Sequence, residues 1–461
     1  MSDVRGVELT LSFGSKQSCK LPGCSTEQVI SRSSSISKSK MSKLTASMNL
    51  VTTMVGASVL SFPALFAKAG CVLAPTILLS MAWVTHEIGI TVCKCLDDAE
   101  QRADTGKVDW SFGRTPLTFE DLGEAAFGKS GKLAIGLITN LILLTFCGAL
   151  TILVGSSLEF VSNATMPYRF WVIAASVMFF FMGLLKDMSI VSKLSPIGVM
   201  TSVIYVVSIC QAGYFVVEAG KEAGLGLPET HMAPRHLLGL GSVVAVMLLG
   251  FFFVMVVPPV RAGMENPAEM PEAILIAVCI VTTVYMLVGG IGYYGWGAHV
   301  EGNVLESMVD PVTGKRLISG IVLSLAIISN LMVTYPILVN CVVVAFEATL
   351  TGGRYSPQIR IITVLISILQ GLLCPYFLEV IGVMASIGGV CMSVFIPIPC
   401  FWKLAQNTST CKKVKHIVIC IIGFLALVFG TWDSMSELCI ALDKGGGNPL
   451  THFWVPMHEP M

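Results

Sequence analysis

The first long apolar segment of this chain contains the sequence Val55-Gly56-Ala57-Ser58-Val59-Leu60-Ser61-Phe62-Pro63. Two hydroxyls, a glycine and a proline stand there in place of the leucine and valine of a plain membrane helix. A backbone that opens inside a bilayer must be buried in protein or line a cavity, because lipid cannot pair with its N–H and C=O groups. The stretch therefore indicates a broken helix, as used by many secondary transporters to hold a small polar substrate. The alternative is that its small residues only allow helices to pack closely.

The composition is that of a polytopic membrane protein. Of the 461 residues, 54% are hydrophobic and 13% are charged, whereas a soluble domain carries about 25% charged residues. The net charge of zero gives no reason to expect a nucleic-acid partner. The 15 cysteines are scattered and the seven histidines lack metal-ligand spacing. No nucleophile–base motif is visible, so we expect neither an enzyme nor a cofactor.

A helix needs about 20 apolar residues to cross a bilayer, and we predict about eleven spans in an all-α integral membrane protein. The candidate spans are 44–67, 72–93, 131–158, 168–185, 194–217, 236–259, 273–296, 317–346, 359–378, 380–402 and 414–432. Residues 1–43 are polar and rich in serine and lysine, which predicts a disordered tail. Residues 433–461 are predicted to form the C-terminal tail.

Lysine and arginine predict the orientation, because they are concentrated in cytoplasmic loops. They are frequent in the N-terminal tail and in the second-to-third and tenth-to-eleventh connections, and acidic residues dominate after 433. We therefore predict a cytoplasmic N-terminus and a non-cytoplasmic C-terminus. Asn163-Ala164-Thr165 is a glycosylation sequon in a predicted outside loop. The host is expected to be the plasma membrane or a vacuolar or endosomal membrane.

A second disrupted segment, Gly250-Phe251-Phe252-Phe253-Val254-Met255-Val256-Val257-Pro258-Pro259, lies five spans after the first. Neither proline offers an N–H, so a plain reading is that they only end the helix at the interface. Five spans per repeat would invert the second repeat relative to the first. Paired interruptions at equivalent places point to an inverted-repeat transporter and to its binding site.

Few ionisable residues lie deep in the predicted spans, and His86-Glu87 is the main exception. A transport role is the default hypothesis for Glu87, and the alternative is that it reaches the cytoplasmic surface. With few buried charges, helix N-termini would bind a carboxylate and freed carbonyls an ammonium. A zwitterion such as an amino acid fits such a site.

These segments resemble the amino acid/auxin permease family. The similar stretches are Val55 to Pro63 with Lys68-Ala69-Gly70, Thr118 to Gly123 with Ala126-Phe127-Gly128, Pro259 to Pro267, Gly289 to Gly297, and Thr334-Tyr335-Pro336. The resemblance covers nearly all of residues 44–432. It implies a LeuT-type fold of two inverted five-helix repeats, 44–217 and 236–402, plus an extra helix at 414–432, with spans one and six broken.

The resemblance also implies which residues form the site. Substrate-binding positions carried over from the family are Gly56, Ala57, Ser58, Val59 and Leu60 in span one, and Phe251, Phe252, Phe253, Val254 and Met255 in span six. Sodium-coupled members have an asparagine where this chain has Thr52, and a threonine that is kept here as Thr334. These two residues and Glu87 are the candidate ion-coupling positions, and the lost asparagine favours protons over sodium. Thr52 and Thr334 are also the only candidate metal site.

Phe252-Phe253 stands where many relatives carry a polar or acidic pair. The two rings either shrink and dry the pocket, favouring small or apolar substrates, or face neighbouring helices. We predict an alternating-access transporter of neutral amino acids, coupled to protons or sodium and functional as a monomer in the lipid bilayer. The alternative function is an amino acid sensor that signals through its N-terminal tail.

Overall fold

The computed structural model describes residues 41–105, 110, 111, 116, 118–184, 195–234, 236–351, 355–374, 376–405 and 408–444. The predicted disordered tail, apart from residues 41–43, lies outside these residues, as do residues 445–461. In chain order the helices are α1 (Lys43–Met54), α2 (Phe62–Asp104), α3 (Phe119–Val161), α4 (Tyr168–Gly183), α5 (Ser195–Glu222), α6 (Leu240–Gly250), α7 (Val257–Gly263), α8 (Met270–Trp296), α9 (Ile318–Leu350), α10 (Pro357–Leu373), α11 (Phe377–Met384), α12 (Pro397–Leu404) and α13 (Thr410–Lys444).

Within the described residues, eight helical segments are long and apolar enough to cross a membrane, and α4 and α10 are shorter apolar helices. The predicted count of eleven stays a prediction. One reason for the difference is α2, which joins the end of predicted span one to all of span two. At the junction, Gly70 has a φ of +84° and divides α2 without ending it. A second difference is α13, which continues to Lys444, so residues 433–444 are helical where we expected a tail.

Local sequence signals account for where several helices begin. The Ser42 hydroxyl accepts from the Thr45 N–H and caps α1. Thr118 and Asp121 form a reciprocal capping box at the start of α3. Pro357 begins α10, at a position where a backbone N–H would have no intrahelical acceptor.

The helices pack as a bundle around the two interrupted segments. α2 packs against α8, α3 against α9 and α10, and α5 against both α8 and α9. Burial separates central from peripheral helices: 67% of the most apolar stretch of Phe377–Leu404 is buried, against 28% for α13. α13 therefore lies at the outside of the bundle, where most of its apolar surface remains available to lipid.

Two π-helical turns, Ala385–Gly389 and Cys391–Phe395, link α11 to α12. Such turns are rare and often lie at functional sites. Ala385, Gly388 and Gly389 are buried here, and a side chain at Gly388 would meet Ile142 of α3 at 2.4 Å. The small residues therefore allow this irregular segment to approach α3 closely.

Candidate functional site

The first predicted break is present in the structure. α1 ends at Met54, Val55 and Gly56 are non-helical, and a 3-10 turn over Ala57–Ser61 leads into α2. The first hydrogen bond of this turn runs from Val59 N to Gly56 O. The amides of Ala57 and Ser58 precede it, at the end of a helix where N–H groups have no intrahelical partner.

The second break repeats this layout. α6 ends at Gly250, residues 251–253 are non-helical, and a 3-10 turn over Val254–Val256 leads into α7. Pro258 lies in the first turn of α7, a position that tolerates a missing N–H. The prolines therefore start the helix after the break, and the plain reading that they only end span six is wrong.

Carbonyl groups freed at the first break are held by hydroxyls from other helices. Tyr285 of α8 donates to Met54 O at 2.7 Å, and its oxygen is also 2.7 Å from Gly250 O at the second break. Ser202 of α5 lies 3.0 Å from Val55 O and 2.9 Å from Gly198 O. The carbonyls of Met54 and Val55 therefore each have a hydrogen-bond partner within the protein.

Only part of the predicted substrate set is accessible in span one. Gly56, Ala57 and Ser58 are partly exposed, whereas Val59 and Leu60 are fully buried. A Cβ built on Gly56 meets no atom within 4 Å, so open space lies beside its backbone. The accessible surface of the first break is thus the turn whose amides of Ala57 and Ser58 have no bonded acceptor among the described residues.

Of the five predicted residues in span six, Phe252 and Met255 are accessible, and Phe251, Phe253 and Val254 are buried. Phe251 packs edge-on against Tyr285. Phe253 lies against α2, since a Cβ at Gly89 would be 2.9 Å from its ring. Of the two alternatives for Phe252-Phe253, Phe253 faces a neighbouring helix and Phe252 keeps an accessible surface.

The two ends at each break differ in the charge that they favour. The 3-10 turns present N–H groups with partial positive charge, and the ends of α1 and α6 present carbonyls with partial negative charge. Within the described residues, no donor is bonded to the carbonyl of the partly exposed Phe252. The arrangement can therefore bind a carboxylate at one point and an ammonium at another.

The structure gives each predicted threonine at the candidate ion site its own partner. Thr52 donates to Met48 O of its own helix at 2.8 Å. Thr334 donates to the Asn330 side-chain oxygen at 3.0 Å, and the Asn330 amide donates to Thr201 of α5 at 2.8 Å. These bonds place the two threonines in separate hydrogen-bonding groups, and a shared ion site at Thr52 and Thr334 stays a prediction.

Glu87 is paired with a lysine. Its carboxylate lies 2.6 Å from Lys415 Nζ at the start of α13. Gly89, two positions further along α2, faces Phe253 of the second break, and residues two apart on a helix project in different directions. Glu87 therefore points away from the break, towards the start of α13, and its part in ion coupling stays a prediction.

Three residues that the sequence analysis did not single out contribute to this region: Tyr285, Ser202 and Asn330. They contact residues 231, 147 and 129 positions away, respectively, so helical periodicity gives no signal for them. Asn330 offered a weak one, since it lies one turn before Thr334 on α9. A polar amide in an apolar span is a functional hypothesis in its own right.

Comparison with known proteins agrees with this geometry. A family model described as transmembrane amino acid transporter protein matches residues 39–436. Two proteins of Arabidopsis thaliana are similar: amino acid transporter AVT1E is 23% identical over 410 residues, 85% of this chain and 72% of the relative. Amino acid transporter AVT3A is 24% identical over 403 residues, 85% of this chain and 88% of the relative.

Among solved structures, the inward-facing conformation of Mhp1 matches with a TM-score of 0.58 at 11% identity. The match covers 91% of this chain and 96% of Mhp1. At that identity the likeness concerns the fold alone. It confirms the predicted LeuT-type architecture with two interrupted helices.

Proposed function

The chain belongs to the transmembrane amino acid transporter protein family, and from that premise we propose that it carries neutral, zwitterionic amino acids by alternating access. It is a multi-pass integral membrane protein of a transporter family. The substrate would lie between the two breaks, and movement of α1 and α7 against the remaining helices would open the site to each side in turn. One chain supplies both breaks, which supports a functional monomer.

The observation that carries this proposal is the pair of matched breaks. At each break a helix end is followed by a 3-10 turn whose first amides have no bonded acceptor among the described residues. A carboxylate would accept from the amides of Ala57 and Ser58, and an ammonium would donate to the carbonyl of Phe252. A molecule with both charges close together satisfies both ends, and an amino acid is the commonest such molecule.

The side chain of the substrate is expected to be apolar or small. The accessible side chains at the second break are those of Phe252, Met255 and Val256, and none of them pairs with a charge. A charged substrate side chain in contact with them would lose its hydration without compensation. This supports neutral amino acids over acidic or basic ones.

We propose protons as the coupling ion. The carbonyls of Met54 and Val55 are bonded to Tyr285 and Ser202, so they are less available as ligands for sodium than free carbonyls would be. Thr52 replaces the asparagine of sodium-coupled relatives and is bonded within its own helix. We also propose a cytoplasmic N-terminus, which is supported by the distribution of lysine and arginine alone.

Reconstitution into proteoliposomes tests this function. We expect radiolabelled neutral amino acids to accumulate in vesicles under an imposed pH gradient, and not in vesicles given a sodium gradient at equal pH. Protein-free vesicles are the control for leakage. Uptake driven equally by sodium alone would contradict proton coupling, and binding without accumulation under any gradient would contradict transport.

A further inference from the structure

Tyr285 lies where the two broken helices meet. Its hydroxyl oxygen is 2.7 Å from the carbonyl of Met54, the last residue of α1, and 2.7 Å from that of Gly250, the last residue of α6. The side chain is 0% exposed. Its ring stacks on Phe62 with centroids 3.9 Å apart and meets Phe251 edge-on at 5.4 Å. The ring is therefore fixed by packing, and only the hydroxyl proton is free to redistribute.

The close approach of these groups depends on a glycine. A Cβ at Gly250 would lie 3.1 Å from Phe62 and 3.3 Å from Tyr285, tighter than ordinary van der Waals contact. The absence of a side chain lets the end of α6 come within hydrogen-bond distance of the phenol. We call the hydroxyl of Tyr285 with the carbonyls of Met54 and Gly250 the clasp.

Electrostatics explain why a donor is needed there. Both carbonyls terminate helices, so both carry the partial negative charge of a helix C-terminus. Two such ends facing one another repel unless a donor or a cation lies between them. A phenol has one proton, and it can form a full hydrogen bond to only one of the two carbonyls at a time.

The two carbonyls do not depend on the phenol equally. Met54 O also accepts from Gly56 N at 3.0 Å. Among the described residues, Tyr285 is the bonded donor for Gly250 O, and the following amide of Phe251 is directed to Leu249 O instead. If the phenol donated only to Met54 O, Gly250 O would be buried without a donor. That costs more than leaving Met54 O with its bond from Gly56 N alone. The hydroxyl is thus kept by α6, and its contact with α1 is the one that can open.

A third contact links the clasp to the substrate site. Ser58 Oγ lies 3.3 Å from the Tyr285 oxygen, and Ser58 is partly exposed on the turn with the unpaired amides. A carboxylate bound at that turn would be within reach of the Ser58 hydroxyl. Ser58 therefore links the occupancy of the substrate site to the hydrogen bonds of the clasp.

We propose that Tyr285 is a positioning residue that seats α1 against α6 and so sets the fraction of molecules able to bind substrate. This inference rests on the proposed transport of amino acids. The hydroxyl proton is shared between Gly250 and Met54 while α1 is seated and goes to Gly250 alone when α1 opens, and the hydroxyl is coupled to substrate through Ser58. Opening α1 breaks the bond to Met54 and leaves both helix ends with one donor each, from Gly56 and from Tyr285.

Tyr285→Phe is the test, because it removes the hydroxyl and keeps the ring. Tyr335→Phe is the matched control: Tyr335 is also 0% exposed, stacks on Phe179 at 4.1 Å, and its hydroxyl is bonded to Ser367 of α10, away from both breaks. Each variant loses one hydroxyl from a buried tyrosine that stacks on a phenylalanine. A purely structural loss should therefore affect them alike.

We expect Tyr285→Phe to raise the KM for uptake about tenfold, with less than about a threefold change in the maximal rate, because apparent affinity falls with the fraction of competent molecules. Tyr335→Phe should stay within about twofold of the wild type in both quantities. An unchanged KM in Tyr285→Phe, or an equal change in the two variants, would overturn the proposal.

Ser58→Ala completes a double-mutant cycle. If Ser58 acts partly through the phenol, its effect on KM should be at least about threefold smaller in the Tyr285→Phe background than in the wild type. Additive effects would remove Ser58 from the proposal.

A measurement without substrate separates this inference from the function on which it rests. Spin labels replacing Met48 of α1 and Leu287 of α8, both exposed, report the position of α1 by their distance distribution. We expect a longer or broader distribution in Tyr285→Phe and an unchanged one in Tyr335→Phe. If the wild type transports no amino acid, the proposed function is wrong. The distance distribution then still tests the role of the clasp. Identical distributions in all three proteins would contradict that role.

Discussion

At the scale of single residues, Gly56 is where side-chain size should decide whether a substrate fits. A Cβ at this position meets nothing within 4 Å, so Gly56→Ala should fold normally and raise the KM by less than about threefold. Gly56→Leu should abolish uptake while the protein still reaches the membrane, because its side chain would fill the space assigned to the substrate. Initial uptake rates and surface labelling measure the two effects.

Gly290→Leu is the control for this substitution. Gly290 lies on α8, and a Cβ there also meets nothing within 4 Å. Uptake by this variant should stay near the wild-type rate. Normal uptake by Gly56→Leu would refute the placement of the substrate beside the first break.

A second residue predicts how stability responds to pH. Glu306 lies in the 3-10 turn Val304–Ser307, outside the membrane spans. Burial, and then the carboxylates of Glu301, Glu159 and Glu379, raise the pKa of Glu306 to about 8, against about 4.3 in an unfolded chain. Between these values the folded state binds more protons at Glu306 than the unfolded state, so the contribution of this group to stability falls as the pH rises.

We therefore expect the melting temperature in detergent to be higher at pH 5.5 than at pH 8.5. Glu306→Gln should reduce this difference, chiefly by stabilising the protein at pH 8.5. Glu222→Gln, which changes an exposed side chain at the end of α5, should leave the difference as it is. An unaltered pH dependence in Glu306→Gln would show that this carboxyl titrates at its ordinary value.

At the scale of elements, Gly70 decides how the first break is connected to the rest of α2. Its φ is +84°, and a Cβ would lie 2.9 Å from Met232 O and 3.0 Å from His231 O, both backbone atoms of the loop before α6. Gly70→Ala combines backbone strain with a clash that backbone cannot easily relieve, which should cost about 2 kcal/mol or more. Thermal unfolding would measure the loss.

Gly290→Ala is the comparison for Gly70, since it adds the same methyl group to a helical glycine with open space beside it. It should be neutral or stabilise by up to about 1 kcal/mol. Equal stability of the two variants would show that the bend in α2 does not need glycine.

The elements also show what the sequence could and could not predict. Glycine at position 56 and the prolines at 258 and 259 are local signals, and both breaks were found from them. The contacts that hold the breaks come from Tyr285 and Ser202, which lie 231 and 147 positions from their acceptors at Met54 and Val55. Nothing in the local pattern of α5 or α8 marks these residues, because pairing between distant helices depends on the assembled bundle.

At the scale of the whole molecule, a family resemblance and a paired interruption were enough to predict the LeuT-type fold. The boundaries were harder, because Gly70 lets one helix continue where two spans were expected, and α13 runs on past residue 432 to Lys444. Within the site, burial divides the ten predicted substrate residues: it leaves Gly56, Ala57, Ser58, Phe252 and Met255 accessible. Side-chain direction at an irregular backbone could not be deduced from helical periodicity.

The central claim is that the two breaks together form one site for a zwitterion. Its most direct test is competition for uptake of a radiolabelled neutral amino acid into proteoliposomes, by excess of the same amino acid without its carboxylate or without its amino group. We predict that the unlabelled amino acid abolishes uptake and that neither analogue reduces it by more than about a fifth at the same concentration, since each loses one of the two charge contacts. Competition by either analogue as strong as that of the intact amino acid would contradict the claim.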